Sequence, residues 1–320
     1  MSNSHALTSR QWQQLSNIRQ LFLEGGGIAD YWRNQEILEA YHRTFAQRIL
    51  WKWQAVMSSL EKRIVLPDGP LRVLDWGCGS GVAGQAFLEV FGDRVTSIVA
   101  FDRSMKARRF SCEMWNNLWP DLQTSAHHDS DEVFDVVLIS HVLTELKADD
   151  QASLERYLQE KARCIIWVEP GTSQQSRQLI RIRERLGAQY YIYGPCPHQG
   201  VCGLTDDNRA ADWCHFFADP PNSVHQSAFW REFSQKLGID LRSLPVSFLA
   251  MGARTNIDIP SSTEAPVIIG RVRAFKGYCQ YLSCGEGGVS EYQFNKRQSK
   301  KVFKDLQKSE FIKTDPGNDL

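Results

Sequence analysis

The segment Asp75-Trp76-Gly77-Cys78-Gly79-Ser80-Gly81 sets three glycines at alternate positions between an apolar run, Leu71–Asp75, and a helically patterned stretch, Val82–Val90. A strand that turns through glycines into a helix restricts the chain to few architectures. Glycines permit the tight turn and let a ligand approach the backbone closely, and the helix beyond presents unsatisfied N–H groups. The same rhythm continues downstream. Val95–Asp102, Phe134–Ser140 and Cys164–Glu169 read as strands, with Met105–Leu118 and Asp149–Lys161 as helices between them. Such alternation predicts crossover units on a parallel, doubly wound α/β sheet. Strands buried on both faces are apolar throughout, as Val136–Ile139 is. Residues 246–254 and 266–273 supply two final strands.

The flanks differ in character. Residues 8–62 read as helix: Trp12, Leu15, Ile18 and Phe22 share one face, Gly25–Gly27 interrupts, and Asp30 caps a second stretch. In that stretch Tyr41, Phe45, Ile49, Trp53, Met57 and Leu60 form an aromatic stripe of the kind that packs a core. Leu66-Pro67-Asp68-Gly69-Pro70 closes the region. Residues 194–221 are rich in Cys, His and Pro and carry neither period, and 286–320 read as a polar tail. The chain thus divides into a helical region over 1–68, a central domain over 69–275 with 194–221 inserted, and a closing region over 276–320. With 42% apolar and 23% charged residues it is an ordinary folded protein. Its 37 basic and 37 acidic residues exclude a grip on nucleic acid by bulk charge. No apolar run approaches the ~18 residues of a membrane helix, so the expectation is a soluble protein with no membrane partner. No export signal is visible. The expected location is the cytoplasm, or the mitochondrial matrix in a eukaryote, and the eight cysteines are expected as free thiols or metal ligands.

The loop's chemistry narrows further. Gly79-x-Gly81-x-x-Gly84 fits the dinucleotide fingerprint as well, so the glycines alone leave a nicotinamide cofactor open. Asp75, two residues before the first glycine, suits the cationic amino-acid moiety of S-adenosylmethionine better than an anionic pyrophosphate. Asp102, at the end of the second strand, is placed to bind ribose hydroxyls, and Asp129 falls where an adenine would lie. Ser140 and His141 end the fourth strand, at the carboxyl edge where ligands of open sheets bind. The candidate cofactor-binding residues are therefore Asp75, Gly77, Gly79, Gly81, Asp102, Asp129, Ser140 and His141. Over roughly residues 70–185 and the late strands, these motifs resemble class I S-adenosylmethionine-dependent methyltransferases. The resemblance implies a Rossmann-like doubly wound sheet carrying S-adenosylmethionine. To it the chain adds an N-terminal helical extension, a Cys-rich metal-binding insertion and a basic C-terminal tail.

Within the insertion, Pro195-Cys196-Pro197-His198-Gln199-Gly200-Val201-Cys202 is followed by Asp212-Trp213-Cys214-His215-Phe216. Three thiols and two imidazoles in so short a stretch point to zinc or an iron–sulfur cluster. Neither pair has the spacing of a zinc ribbon, and the fourth ligand comes from His198, His215, Cys279 or Cys284. Cys78, Cys112 and Cys164 fall in the core, where a small buried hydrophobe is the natural role.

Ile139–Leu146, Glu169-Pro170-Gly171-Thr172, the Cys-Pro-His block with Trp213-Cys214-His215-Phe216, and Lys276-Gly277 leading to Cys284 together give a narrower likeness. The chain resembles the methyltransferase-like assembly factors of the mitochondrial small ribosomal subunit and their bacterial relatives. That resemblance implies a [4Fe–4S] cluster held by Cys196, Cys202, Cys214 and Cys284, with Cys279 outside the set. It also implies a partner in the small ribosomal subunit and its rRNA. The sequence departs from the family pattern in two places: eleven residues separate Cys202 from Cys214, and Cys202-Gly203 stands where Cys-Pro is usual. Zinc, in a small-molecule methyltransferase, stays open on that ground.

From Arg271 onward ten cations face six acids, among them Lys296, Arg297, Lys300, Lys301 and Lys304, with Tyr278, Tyr281, Tyr292 and Phe294 interleaved. Cations on one face meet RNA phosphates and aromatics stack on bases. No catalytic residue is legible. Neither the Asn-Pro-Pro-Tyr block of amino-group methyltransferases nor the Pro-Cys of cytosine-C5 enzymes follows the fourth strand, and His141 and Glu145 are unassigned candidates for a base. Binding of S-adenosylmethionine without transfer, in a non-catalytic assembly checkpoint, fits the family as well.

Overall fold

The computed structural model describes residues 6–24, 32, 34–256 and 265–317. The expected cap at Asp30 and the Gly25–Gly27 break lie outside the described residues.

Three helices open the chain. In α1 (Ser9–Leu23) Thr8 and Gln11 form a reciprocal capping box. In α2 (Gln35–His42) the Asn34 side chain accepts from the Ile37 N–H. The third, α3 (Phe45–Leu60), buries Trp53, Val56, Met57 and Leu60 completely. The aromatic stripe is indeed core: Trp32 meets Tyr41 edge-on at 4.7 Å, and Tyr41 packs on Phe45 at 5.8 Å.

The central unit alternates as β1 (Leu71–Trp76), α4 (Val82–Phe91), β2 (Val95–Phe101), α5 (Met105–Leu118), β3 (Gln123–Ser125), β4 (Phe134–Ser140), α6 (Ala148–Lys161), β5 (Ala162–Pro170), α7 (Ser173–Leu186) and β6 (Tyr190–Gly194). After the insertion come β7 (Phe216–Ala218), α8 (Ser223–Gln226), α9 (Ala228–Leu237) and β8 (Leu244–Ala253). The sheet runs β3-β2-β1-β4-β5-β8-β6, with β7 beside β8. Strands β1 to β5 pair in parallel, whereas β8 lies antiparallel between β5 and β6. This is the class I, Rossmann-like order with its last strand reversed. The crossovers change direction between β1 and β4, which opens a crevice at the carboxyl ends of those strands. Every residue of β4 from Phe134 to Ile139 is buried, as its apolar run predicts.

Two expectations need correction. The run 266–273 does not join this sheet. It forms β9 (Val267–Ala274) of a second, antiparallel sheet with β10 (Tyr278–Gly285), β11 (Gly288–Asn295) and, after α10 (Lys300–Leu306), β12 (Lys313–Thr314), in the order β11-β10-β9-β12. Residues 286–317 are therefore folded rather than a polar tail. Cys279, Tyr281, Phe294, Phe303 and Leu306 make its small core, and alternation of buried and half-buried side chains along β10 reflects a sheet with one face turned inward.

Candidate functional site

The cleft at the β1/β4 crevice is built from the glycine loop outward. Gly77, Gly79 and Gly81 all have positive φ (74°, 53° and 80°), the left-handed conformation that only glycine adopts cheaply. A Cβ on Gly77 would stand 2.6 Å from the Val142 side chain, so the loop closes directly on the turn after β4. Asp102 organises the opposite side: its Oδ2 accepts from the Gly79 N–H at 3.0 Å and its Oδ1 from the Ser104 N–H at 2.8 Å. Burial pushes its pKa above the ordinary carboxylate value, against the lowering effect of those two N–H groups.

Gly77, Gly79, Asp102, Ser140 and His141 line this one cleft. Asp75, Gly81 and Asp129 do not. Asp75 is fully buried beneath the loop, where its Oδ2 accepts from the Gly84 N–H at 3.0 Å and its Oδ1 has no partner. Burial raises its pKa to about 7. The carboxylate thus holds the start of α4. Trp76, on the other face of the strand, faces the cleft. Gly81 packs inward, its carbonyl accepting from Trp115 Nε1 at 2.9 Å. Asp129 is exposed and accepts from the Asp131 N–H. The cleft wall near it is aromatic instead: Phe101 lies 4.9 Å from His128, whose Nε2 is 2.9 Å from the Tyr157 hydroxyl. Phe101, His128 and Tyr157 were not singled out from sequence; their signal is position at the ends of β2 and β3 and on α6.

A buried polar group stands behind the end of β4. His141 has φ 57°, the only positive value recorded for a non-glycine residue among the described residues. Its Nδ1 is 3.2 Å from Ser140 Oγ, and its Nε2 is 3.4 Å from Lys52 Nζ. Trp53 Nε1 donates to Ser140 Oγ at 2.9 Å. The turn is braced by Glu169, whose Oε1 accepts from the Val142 and Leu143 N–H groups and from Trp167 Nε1, while Oε2 is buried without a partner. Lys52 is 6% exposed, and desolvation lowers its pKa to about 7. Burial raises Glu169 to about 7 and drives His141 well below its ordinary value. Glu145 is held by Arg103 at 2.9 Å across the cleft mouth.

The second candidate centre is a cavity lined by Cys196, Cys202, Cys214 and Cys284, with Arg183 between them. Arg183 Nε donates to Cys196 Sγ at 3.3 Å, its Nη2 to the carbonyls of His198 and Gly200, and its Nη1 pairs with Glu184. His198 Nε2 lies 3.8 Å from Cys284 Sγ. Burial raises the pKa of Cys202 and Cys214 and takes Cys284 to about 12. Cys279 sits elsewhere, in the core of the second sheet. His215 stacks on Trp213 at 4.8 Å. As placed, no group of three or more His, Cys, Asp or Glu side chains among the described residues could hold a metal ion. The Gly203 departure has a steric reason: a Cβ there would fall 2.6 Å from the Val289 nitrogen, so insertion and β11 touch backbone to backbone.

Lys296, Arg297, Lys300, Lys301 and Lys304 are all exposed. Of the interleaved aromatics, Tyr281 and Phe294 are 2% exposed and belong to the core, a correction to their expected stacking role. Tyr278 instead stacks at 4.7 Å on Phe275, which is 44% exposed at the β9–β10 turn.

The family model described as Mitochondrial small ribosomal subunit Rsm22 matches residues 40–261. No curated protein matches the chain. Among solved structures, the plantazolicin methyltransferase BpumL in complex with a monoazolic desmethylPZN analog and SAH is 12% identical, with a TM-score of 0.42, covering 76% of this chain and 100% of that one. A ribosomal protein L11 methylase from Lactobacillus delbrueckii subsp. bulgaricus is 17% identical, with a TM-score of 0.35, covering 66% and 79%. Likenesses this distant carry no argument; the strand order itself does. No described helix is long and apolar enough to cross a membrane.

Proposed function

The chain belongs to the family of the mitochondrial small ribosomal subunit protein Rsm22, and from that premise we propose an S-adenosylmethionine-binding, iron–sulfur protein that acts on the small ribosomal subunit. Its task there is methylation of rRNA or attendance on assembly, in the mitochondrial matrix where the cell has one. The observation that carries the reading is the single cavity lined by Cys196, Cys202, Cys214 and Cys284, thiols drawn from two distant stretches of chain. Four soft donors suit iron and inorganic sulfide, and the buried Arg183 guanidinium offsets the charge that four thiolates would bring. Held by Cys196, Cys202, Cys214 and Cys284, a cluster would tie the insertion to β10, a structural role more than a redox one. For S-adenosylmethionine, the support is the open glycine backbone at Gly77 and Gly79 beside Asp102.

The protein purified without oxygen should be brown and contain about four iron and four sulfide per chain. Zinc in place of iron would overturn the cluster. Crosslinking in cells followed by sequencing should recover small-subunit rRNA, and recovery of no RNA would favour a small-molecule methyltransferase.

A further inference from the structure

We propose that Ser140, His141 and Lys52 form a proton relay from the cofactor cleft to a buried amine, and that it serves transfer of a methyl group to a hydroxyl. This rests on the cofactor reading above and deepens it, since a chain that only bound S-adenosylmethionine would have no use for such a relay.

With Lys52 neutral the hydrogen-bond directions are set by the partners, and with Lys52 an ammonium they reverse. Trp53 Nε1 can only donate, so one lone pair of Ser140 Oγ is taken at 2.9 Å. The Ser140 proton is then directed to His141 Nδ1 at 3.2 Å, and the His141 Nε2 proton to a neutral Lys52 Nζ at 3.4 Å. The second lone pair of Ser140 Oγ is left for an occupant of the cleft, which Ser140 and His141 both line. The left-handed backbone at His141 holds the ring between its two partners, and the Glu169 brace on Val142 and Leu143 holds that backbone. Such strain persists where surrounding contacts over-determine it, and it concentrates at functional sites.

Ring nitrogens attack a sulfonium methyl without losing a proton, whereas a hydroxyl must lose one as its oxygen attacks. An exocyclic amine sheds a proton too, but the Asn-Pro-Pro-Tyr block of amino-group methyltransferases does not follow β4; the acceptor class is therefore a hydroxyl, and on an RNA substrate a ribose 2′-hydroxyl. In the step, the acceptor oxygen forms a bond to the methyl carbon as the carbon–sulfur bond of the sulfonium donor breaks, and the thioether keeps the electron pair. The acceptor proton passes to Ser140 Oγ, the Ser140 proton to His141 Nδ1, and the His141 Nε2 proton to Lys52. Ser140 is the catalytic residue; His141 and Lys52 act through it. The ammonium so formed is faced by Arg48 on its own helix, by His141 after β4, and by Glu169 on β5, whose carboxylate offsets it. The cleft itself adds Asp102, Arg103, His128 and Glu145.

The test compares two probes by calorimetry between pH 6 and pH 8: S-adenosylhomocysteine, and sinefungin, which carries an amine where the sulfonium methyl sits. The sinefungin N–H groups donate to Ser140 only when Lys52 is neutral. Preference for sinefungin over S-adenosylhomocysteine should rise about tenfold across this range, or about 1.4 kcal/mol. Lys52→Arg should stay at the low-pH preference, and Lys52→Met should be flat with pH. If Lys52→Met does not fold, Ser140→Ala, which keeps Lys52 in place, should flatten the ratio equally. Binding of both probes with a pH-independent ratio, or a slope that survives in Lys52→Met, would overturn the relay and leave the cofactor reading intact. Binding of neither probe would remove the cofactor reading and the relay with it.

Discussion

At the scale of the residue, space matters as much as chemistry. A Cβ on Gly84 would lie 2.4 Å from the ring of Trp115 on α5 and 2.8 Å from Ile98 on β2, so α4 has no room for one against either neighbour. Gly84→Ala should lower stability by about 1–3 kcal/mol in urea unfolding. The close packing of Gly84 has no signal in the sequence, yet the fingerprint that it completes was legible. The direction of Asp75 was not. Successive side chains of a strand point to opposite faces, and a strand buried on both faces gives no polarity signal to say which face holds the ligand. Glu169 makes a second test. Its pKa is raised to about 7 when folded, from an ordinary value near 4.5, so the folded protein binds the proton more tightly. Stability should fall as pH rises from about 4.5 towards about 7. Glu169→Gln should flatten that slope in thermal unfolding monitored across the range; an unchanged slope would assign it to the other raised carboxyls, Asp75 and Asp102.

At the scale of the element, α3 was read as core from its stripe and is core, yet it also delivers Lys52 and Trp53 to the end of β4, nearly ninety positions away in sequence. Periodicity reports which face a helix buries and says nothing of what meets it there. Trp53→Phe removes the bond to Ser140 and part of a fully buried indole, so a loss of about 2–3 kcal/mol should follow, read by denaturant midpoint. On α10 and its approach, the exposed cations make a separate prediction. Lys300→Glu, Lys301→Glu and Lys304→Glu together should weaken affinity for small-subunit RNA and lower the salt dependence by roughly 0.7–0.9 log units per lost phosphate contact. The melting temperature should not move, since none of the three packs inward.

At the scale of the whole molecule, the crossover units were legible because their strands are short, apolar and evenly spaced. The second sheet was not, because charge on its wet face masks the alternate positions that make its core. Insertion and second sheet meet at Gly203 against β11 and where Arg209 donates to the Val289 carbonyl at 2.9 Å. Cys284→Ser should therefore cost both the iron and the protease resistance of residues 267–314, visible as a trimmed fragment by mass spectrometry. Retained resistance with iron lost would show that packing alone holds the two sheets together.

The place of β8 carries a further consequence. It is the last strand of the main sheet to be made, and among the described residues β6 pairs with no strand except β8. The segment bearing Cys196 and Cys202 meets Arg183 and Glu184 of α7 as soon as it is made, but the strand that leads into it, β6, gains its partner only once β8 has been translated, and Cys284 follows later still. An inorganic centre that takes all four thiols would therefore be loaded only after Cys284 has been made, while β11, α10 and β12 of the second sheet are still to come.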